Sequence, residues 1–230
     1  MLYFDDFEGA NPLGSKRGVH TMFAVYFTLL NLPMKYRSKI ESMHLALLTK
    51  SCSVTKNGLD VILDPLINDL KLWQKTGVVA TVNGMTYTLL GHVAFVRADN
   101  LAANQIAGFT QNFSHGRICR FCMASTDDVS SLHLESLCKL RSAKVHDAQL
   151  SAVLADKSLS SVYGVVSSCP LTSLSDFDVT MSFAPDIMHD LLEGVVPLTI
   201  KYVLKAVLAT SHETLSGIND RMHSLPVKPP

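Results

Sequence analysis

Neither sign of charge predominates in these 230 residues: 20 lysines and arginines stand against 20 aspartates and glutamates. Bulk nucleic-acid binding shows as a basic surplus or stripe, so any such function here rests on local sites. Long apolar runs are also lacking. The longest, Met22 to Met34, is interrupted by Thr28 and Asn31 and falls short of the ~18 residues a membrane-spanning helix needs. The opening residues include Asp5 and Asp6 and lack the basic-then-apolar order of a signal peptide. A soluble, non-secreted chain with no membrane partner is the expectation. Cysteines are few and odd in number (Cys52, Cys119, Cys122, Cys138, Cys169), which favours thiols or metal ligands over a disulfide framework. There is no internal repeat, and no basic run marks a nuclear localisation signal.

What is present is a core-forming composition. A hydrophobic fraction of 47% argues for a packed globular chain rather than disorder. The length suits one large domain or two small ones. Leu2-Tyr3-Phe4 runs straight into Asp5-Asp6, an aromatic strand ending in carboxylates. A polar turn, Glu8 to Gly18, follows. Thr21 to Leu32 reads as a second strand closed by Pro33, Tyr36 to Lys39 as a basic loop, and His44 to Leu48 as a third strand. From Gly58 to Gly77, Leu59, Ile62, Leu63, Leu66, Ile67, Leu70 and Trp73 recur at helical spacing before a closing glycine. Val78–Val82 and Met85–Leu90 flank Asn83-Gly84, a strong hairpin signal. His92–Arg97 reads as a strand and Leu101–Phe113 as a helix. Between Ser114 and Ser182 the periodicity breaks up, leaving short helices around 132–140 and 146–154. Pro185 then opens a helix from Asp186 to about Leu208, and the chain closes in an extended tail.

Three acidic positions stand out. Asp5, with Asp6 beside it, ends the first strand, and Asp99 ends a later one. Glu193 lies in a helix where Asp186, His189, Asp190 and Glu193 share one stripe. Taken singly, each has an ordinary explanation: Asp99 as a helix cap, Asp186 at a helix start, Glu193 as a solvated side chain. Taken together, two strand-end aspartates and a helical glutamate after three strands, a helix and another strand follow the order of an RNase H-like fold. In that fold carboxylates hold two Mg²⁺ ions for phosphoryl transfer, and hard cations prefer such oxygens.

Cys119-Arg120-Phe121-Cys122 has the CxxC spacing of a zinc knuckle, although a redox pair or two buried thiols would read the same way. No second CxxC follows. A closed zinc site needs four ligands, and the candidates to complete it are Cys138, His133, His146 and His189.

LYFDDFEGANPLGSK, VYFTLLNLPMKYRSK, LDPLINDLK, RADNLAAN, CRFC and APDIMHDLLEGVVP together resemble the transposase core of the CACTA (En/Spm-like) DNA transposons, most closely their animal transposon-derived versions. The likeness runs from Leu2 to about Val207. It implies an α/β, RNase H-like mixed sheet flanked by helices, with an irregular Cys/His-containing insertion between the second and third acids. The corresponding segments are residues 1–113 and 183–210 for the core, 114–182 for the insertion and 211–230 for a tail. It implies catalytic Asp5, Asp99 and Glu193, with Asp6 as the fallback for the first acid, all holding Mg²⁺ or Mn²⁺. Cys119 and Cys122, with His146 and His189, would hold Zn²⁺. DNA as partner, a homo-oligomer and nuclear residence follow from the same likeness, with Lys16, Arg17, Arg37 or Lys39 contacting phosphate.

Three departures set a second expectation beside the enzyme. The chain begins at the first catalytic strand, it stops in a proline tail, and Gln149 stands where a second histidine is expected in KVHDAQL. They suit a fragment, or an inactive, co-opted or relic copy that binds nucleic acid or protein.

Overall fold

Strand β1 (Leu2–Glu8) alternates buried Leu2 and Phe4 with the more exposed Tyr3 and Asp5, as a strand covered on one face should. It lies inside a four-stranded mixed sheet of order β3-β2-β1-β6. Strand β2 (Thr21–Phe27) pairs antiparallel with β1 from Leu2↔Phe27 to Glu8↔Thr21. Strand β3 (His44–Lys50) pairs antiparallel with β2, the register slipping between Val25 and Tyr26. Helix α1 (Met34–Arg37), a single turn in the stretch read as a basic loop, lies between them. These statements concern residues 1–9, 20–210 and 214–225, which the computed structural model describes. Lys16 and Arg17 lie outside the described residues.

Helices α2 (Ser51–Asn57) and α3 (Leu59–Lys75) follow, separated by Gly58 at φ 87°. Val54, Leu63 and Ile67 join Leu2, Phe4, Phe23 and Val25 in one core, where the rings of Phe4 and Phe23 are 6.0 Å apart. The pattern of α3 matches its expected span, but α2 was not foreseen; its sequence, SCSVTKN, has no apolar stripe. Strands β4 (Val78–Val82) and β5 (Met85–Leu89) form the expected hairpin. Asn83 at φ 50° and Gly84 at φ 79° supply the two left-handed residues its tight turn requires.

Only Val96–Arg97 of the expected strand 92–97 pairs, as β6, parallel to β1. On its other side Val96 bridges Phe183, with Val96 N–H donating to Ser182 O (2.8 Å) and Ala184 N–H to Val96 O (2.9 Å). Helix α4 (Asn100–Ala107) stops six residues short of the expected Phe113. Gly108 ends it at φ 75°, and a Cβ there would sit 2.0 Å from Ser167 O, so no other residue fits without displacing backbone.

From Ser114 to Ser182 regular structure is sparse, as the broken periodicity suggested. Helix α5 (Ala143–Ala155) covers the expected 146–154, whereas 132–140 holds only a 3₁₀ turn, Glu135–Leu137. Helix α6 (Ser160–Tyr163) is one further turn. These pieces form, with the sheet, one compact unit, Met1–Pro185.

Asp186–Pro230 is a second unit. Its first turns, Met188–Val195, are π-helical rather than α-helical, and helix α7 (Val196–Thr210) continues them. Pro197 has no N–H to give to the Glu193 carbonyl, and a widened turn accommodates that loss. Helix α8 (Leu215–Ser224), with Thr214 Oγ1 accepting from Gly217 N–H, forms within the stretch read as a tail. Among the described residues no helix is long and apolar enough to cross a membrane.

Candidate functional site

The last residues paired between β1 and β6 are Tyr3 and Arg97. Asp5 stands two positions beyond Tyr3, in the middle of β1, which runs on to Glu8 instead of ending at Asp5 as expected, and Asp99 stands two positions beyond Arg97, past the end of β6 at the cap of α4. Residues aligned across a parallel pair share a face, and side chains alternate. Asp5 and Asp99 therefore fall on the side of Tyr3 and Arg97, opposite Leu2, Phe4, Val96 and Ala98, which are buried. Asp5 is half-buried and Asp99 exposed. Asp99 also caps α4, its Oδ1 accepting from Ala102 N–H at 2.7 Å. Asp6 falls on the other face, where Ser51 Oγ at the start of α2 donates to its Oδ1. Of the adjacent pair, Asp5 is the one on Asp99's side.

Glu193 lies in the π-helical turns of the second unit. There His189 bridges two carboxylates: Nδ1 bonds Asp186 Oδ2, and Nε2 lies 3.9 Å from Glu193 Oε2. Of the expected stripe, Asp186, His189 and Glu193 thus meet. Burial works to raise the Asp186 carboxyl, but hydrogen bonds from the His189 side chain and backbone and from Met188 N–H outweigh it and hold the group below its ordinary value.

In the CxxC loop, Cys119 Sγ accepts N–H bonds from Phe121 and Cys122, both 3.4 Å. Residues 139–141 back the loop: Met123 N–H donates to Lys139 O and Arg141 N–H to Phe121 O, both 2.9 Å. Burial pushes the Cys122 thiol up to about 11; Ala124 N–H opposes this, while the nearby sulfurs of Cys119 and Cys138 add to it. His146, on α5, is 2% exposed and packs against Phe109, and its Nδ1 has no hydrogen-bond partner. Burial, then the neighbouring Arg141, lowers its pKa, against smaller opposite effects of Asp147 and Asp178. Among the described residues no group of three or more His, Cys, Asp or Glu side chains gathers to hold a metal ion.

Two buried arginines of the insertion had not been singled out from the sequence. Arg141 donates to Cys119 O (3.0 Å), Gln149 Oε1 (3.2 Å) and Tyr163 O (2.8 Å) and lies over the Phe109 ring. Burial lowers its pKa to about 10, although the Cys119 and Cys122 sulfurs work against the fall. Gln149, in the place of an expected imidazole, is thus an acceptor for Arg141. Arg120, between the two cysteines, reaches Asn100 at the start of α4. A signal existed for Arg120 alone, which is set among Ile118, Cys119, Phe121 and Cys122, whereas Arg141, between Leu140 and Ser142, carries none. Of the other basic candidates, Lys39 is exposed and lies over the Tyr36 ring, and Arg37 is half-buried.

The stretch from residue 6 to residue 159 matches a family model described as transposase family tnp2. No curated protein matches the chain.

Proposed function

Because the chain belongs to the tnp2 transposase family, we propose that it is the catalytic core of a cut-and-paste DNA transposase of the CACTA type, on an RNase H-like fold. The observation that supports this reading is the parallel pairing of β1 with β6, whose last pair, Tyr3↔Arg97, lies two residues before Asp5 on one chain segment and two before Asp99 on the other. Two carboxylates, one on β1 and one just past the end of β6, are a hard-oxygen donor set of the kind that suits Mg²⁺ or Mn²⁺. Asp5 and Asp99 would hold the ions, with Asp6 as fallback and Glu193 as the third acid. Bound there, the ions supply positive charge for the attacking and departing oxygens of phosphodiester exchange.

In the reaction, a water oxygen bonds to phosphorus and gives up a proton as the P–O3′ bond breaks and O3′ takes one; the released 3′ hydroxyl then bonds to a target phosphorus, losing its proton, as the target's own P–O3′ bond breaks and that O3′ is protonated. Arg37 or Lys39 would contact DNA phosphates, as would Lys16 or Arg17. Nuclear residence and a homo-oligomer belong to the same reading. Cys119 and Cys122 would hold Zn²⁺ with His146 and His189. The two N–H bonds on Cys119 Sγ and the unpartnered buried Nδ1 of His146 support those two as ligands.

The test is nicking of labelled DNA by the purified protein with Mg²⁺ or Mn²⁺, abolished by Asp99→Asn. A wild-type protein that neither nicks nor binds divalent ions by calorimetry overturns the reading. It would leave an inactive, co-opted or relic domain that binds nucleic acid or protein. Gln149, bonded to Arg141 where the resemblance expects a second histidine, favours that alternative.

A further inference from the structure

We infer that Arg120 is a positioning residue for the acidic site, acting from inside the CxxC loop as a clamp on both flanks of the point where Asp99 leaves β6. The inference rests on the proposed role of Asp99; the clamp itself rests on geometry alone. Arg120 is 6% exposed, and a buried guanidinium is costly unless hydrogen bonds meet it. Its Nη1 donates to Asn100 Oδ1 at 2.8 Å and lies 3.5 Å from Asn104 Oδ1, and its Nη2 donates to Ala184 O at 3.4 Å. Its Cζ lies over the Phe121 ring, 4.6 Å from the ring centre.

Those acceptors sit on two separate segments. Asn100 and Asn104 are the first and second turns of α4, and Asn100 directly follows the capping Asp99. Ala184 belongs to the segment that bridges β6 on the side away from β1. A planar fork can hold two acceptors at a set spacing, which a lysine ammonium on its flexible stem cannot. The loop that carries the fork is itself fixed, because Cys119 Sγ takes the N–H groups of Phe121 and Cys122, the two residues that follow Arg120. Arg120 thereby ties the cysteine loop to the backbone on which Asp99 is mounted.

The test compares amide hydrogen exchange and Mn²⁺ binding in the full chain carrying Arg120→Gln, Arg120→Lys or Asn100→Ala. In Arg120→Gln, exchange at 99–104 and 182–184 should rise about tenfold or more while β2 and β3 stay protected. Arg120→Lys should recover protection at 99–104 only. Mn²⁺ affinity should fall about 10- to 100-fold in Arg120→Gln, the size expected for loss of a group that orients a ligand. A folded Arg120→Gln protein with unchanged exchange in both segments overturns the clamp. If that variant does not fold, Asn100→Ala decides, since it removes the acceptor and keeps the arginine; unchanged exchange at 99–104 then has the same force. Wild-type protein that binds no Mn²⁺ refutes the acidic-site reading and with it the positioning role, a result distinct from failure of the clamp.

Discussion

Asp5 and Asp99 each stand two residues past Tyr3 and Arg97, the last pair between the parallel strands β1 and β6, Asp5 within β1 and Asp99 at the cap of α4. They share the face opposite the buried Leu2, Phe4 and Val96, whereas Asp6 turns to the other side and bonds Ser51. This arrangement separates two acids that are adjacent in the chain.

Asp5→Asn and Asp99→Asn should each lower metal-dependent DNA nicking by about 10²–10³-fold, the scale of losing one electrostatic group at a reacting centre. Asp6→Asn should keep most of the activity and cost about 1 kcal/mol of stability through the Ser51 hydrogen bond. Nicking rates and denaturant melts of the three variants check this hypothesis; equal losses from Asp5→Asn and Asp6→Asn would count against the assignment.

Zinc removal offers a separate hypothesis, motivated by the two N–H bonds on Cys119 Sγ. Elemental analysis should find one zinc per chain, and Cys119→Ser should release it. A chelator should lower the melting temperature of the wild type and leave that of Cys119→Ser unmoved. Protein purified without stoichiometric zinc, and indifferent to added zinc, removes the site.

Leu63 is fully buried on α3 against the sheet. Leu63→Ala is expected to cost about 2–5 kcal/mol, the loss of transfer free energy plus a cavity. Urea denaturation reads it directly, and a loss below about 1 kcal/mol would mean this helix does not pack on the core as described.

Gly108→Ala meets two obstacles at once: φ 75° and a Cβ 2.0 Å from Ser167 O. A loss of more than about 2 kcal/mol is expected, above the strain of a left-handed residue alone. An unshifted unfolding midpoint would contradict the close approach of 108 and 167.

The Asp128 carboxyl accepts from the Ser125 backbone N–H and hydroxyl and pairs with Arg117. The Ser125 bonds first, and Arg117 after them, hold its pKa below the ordinary 3.8 against slight desolvation. The unfolded chain thus binds this proton more readily, so the contribution is intact above pH 3.8 and is lost as pH falls below it. Asp128→Asn should be less stable than wild type at neutral pH, and the gap should close in acid. Thermal melts on either side of pH 3.8 test the sign; a gap that widens in acid is the contrary result.

Much of the fold was legible because its signals are local. The β4–β5 turn was readable from Asn83-Gly84, since only those residue types enter the left-handed region cheaply. Helix α3 was readable from apolar spacing and from Gly77, at φ 74°, just after its end. Misreadings arose where a distant partner decides. Leu101–Phe113 looks helical throughout, yet α4 stops at Ala107 because the chain around Ser167 leaves room only for a left-handed glycine at 108. Residues 92–97 carry strand propensity, but β6 is confined to the two positions that find Leu2 and Tyr3. The change from π- to α-helical turns at Val195–Val196 was readable in principle from Pro197, which withholds one N–H.

By itself the sequence determined the family, the type of most strands and longer helices and the residue chemistry, because periodicity, turn residues and motif order act between near neighbours. Tertiary pairing decided which carboxylates become neighbours and which way each faces. A one-residue change of register would move every side chain of β6 to the opposite face, and nothing within VRADN specifies the register it adopts against LYF. The burial of Arg120 and Arg141 was decided in the same way, since a guanidinium can enter the core only after distant carbonyls and amides have assembled to receive it.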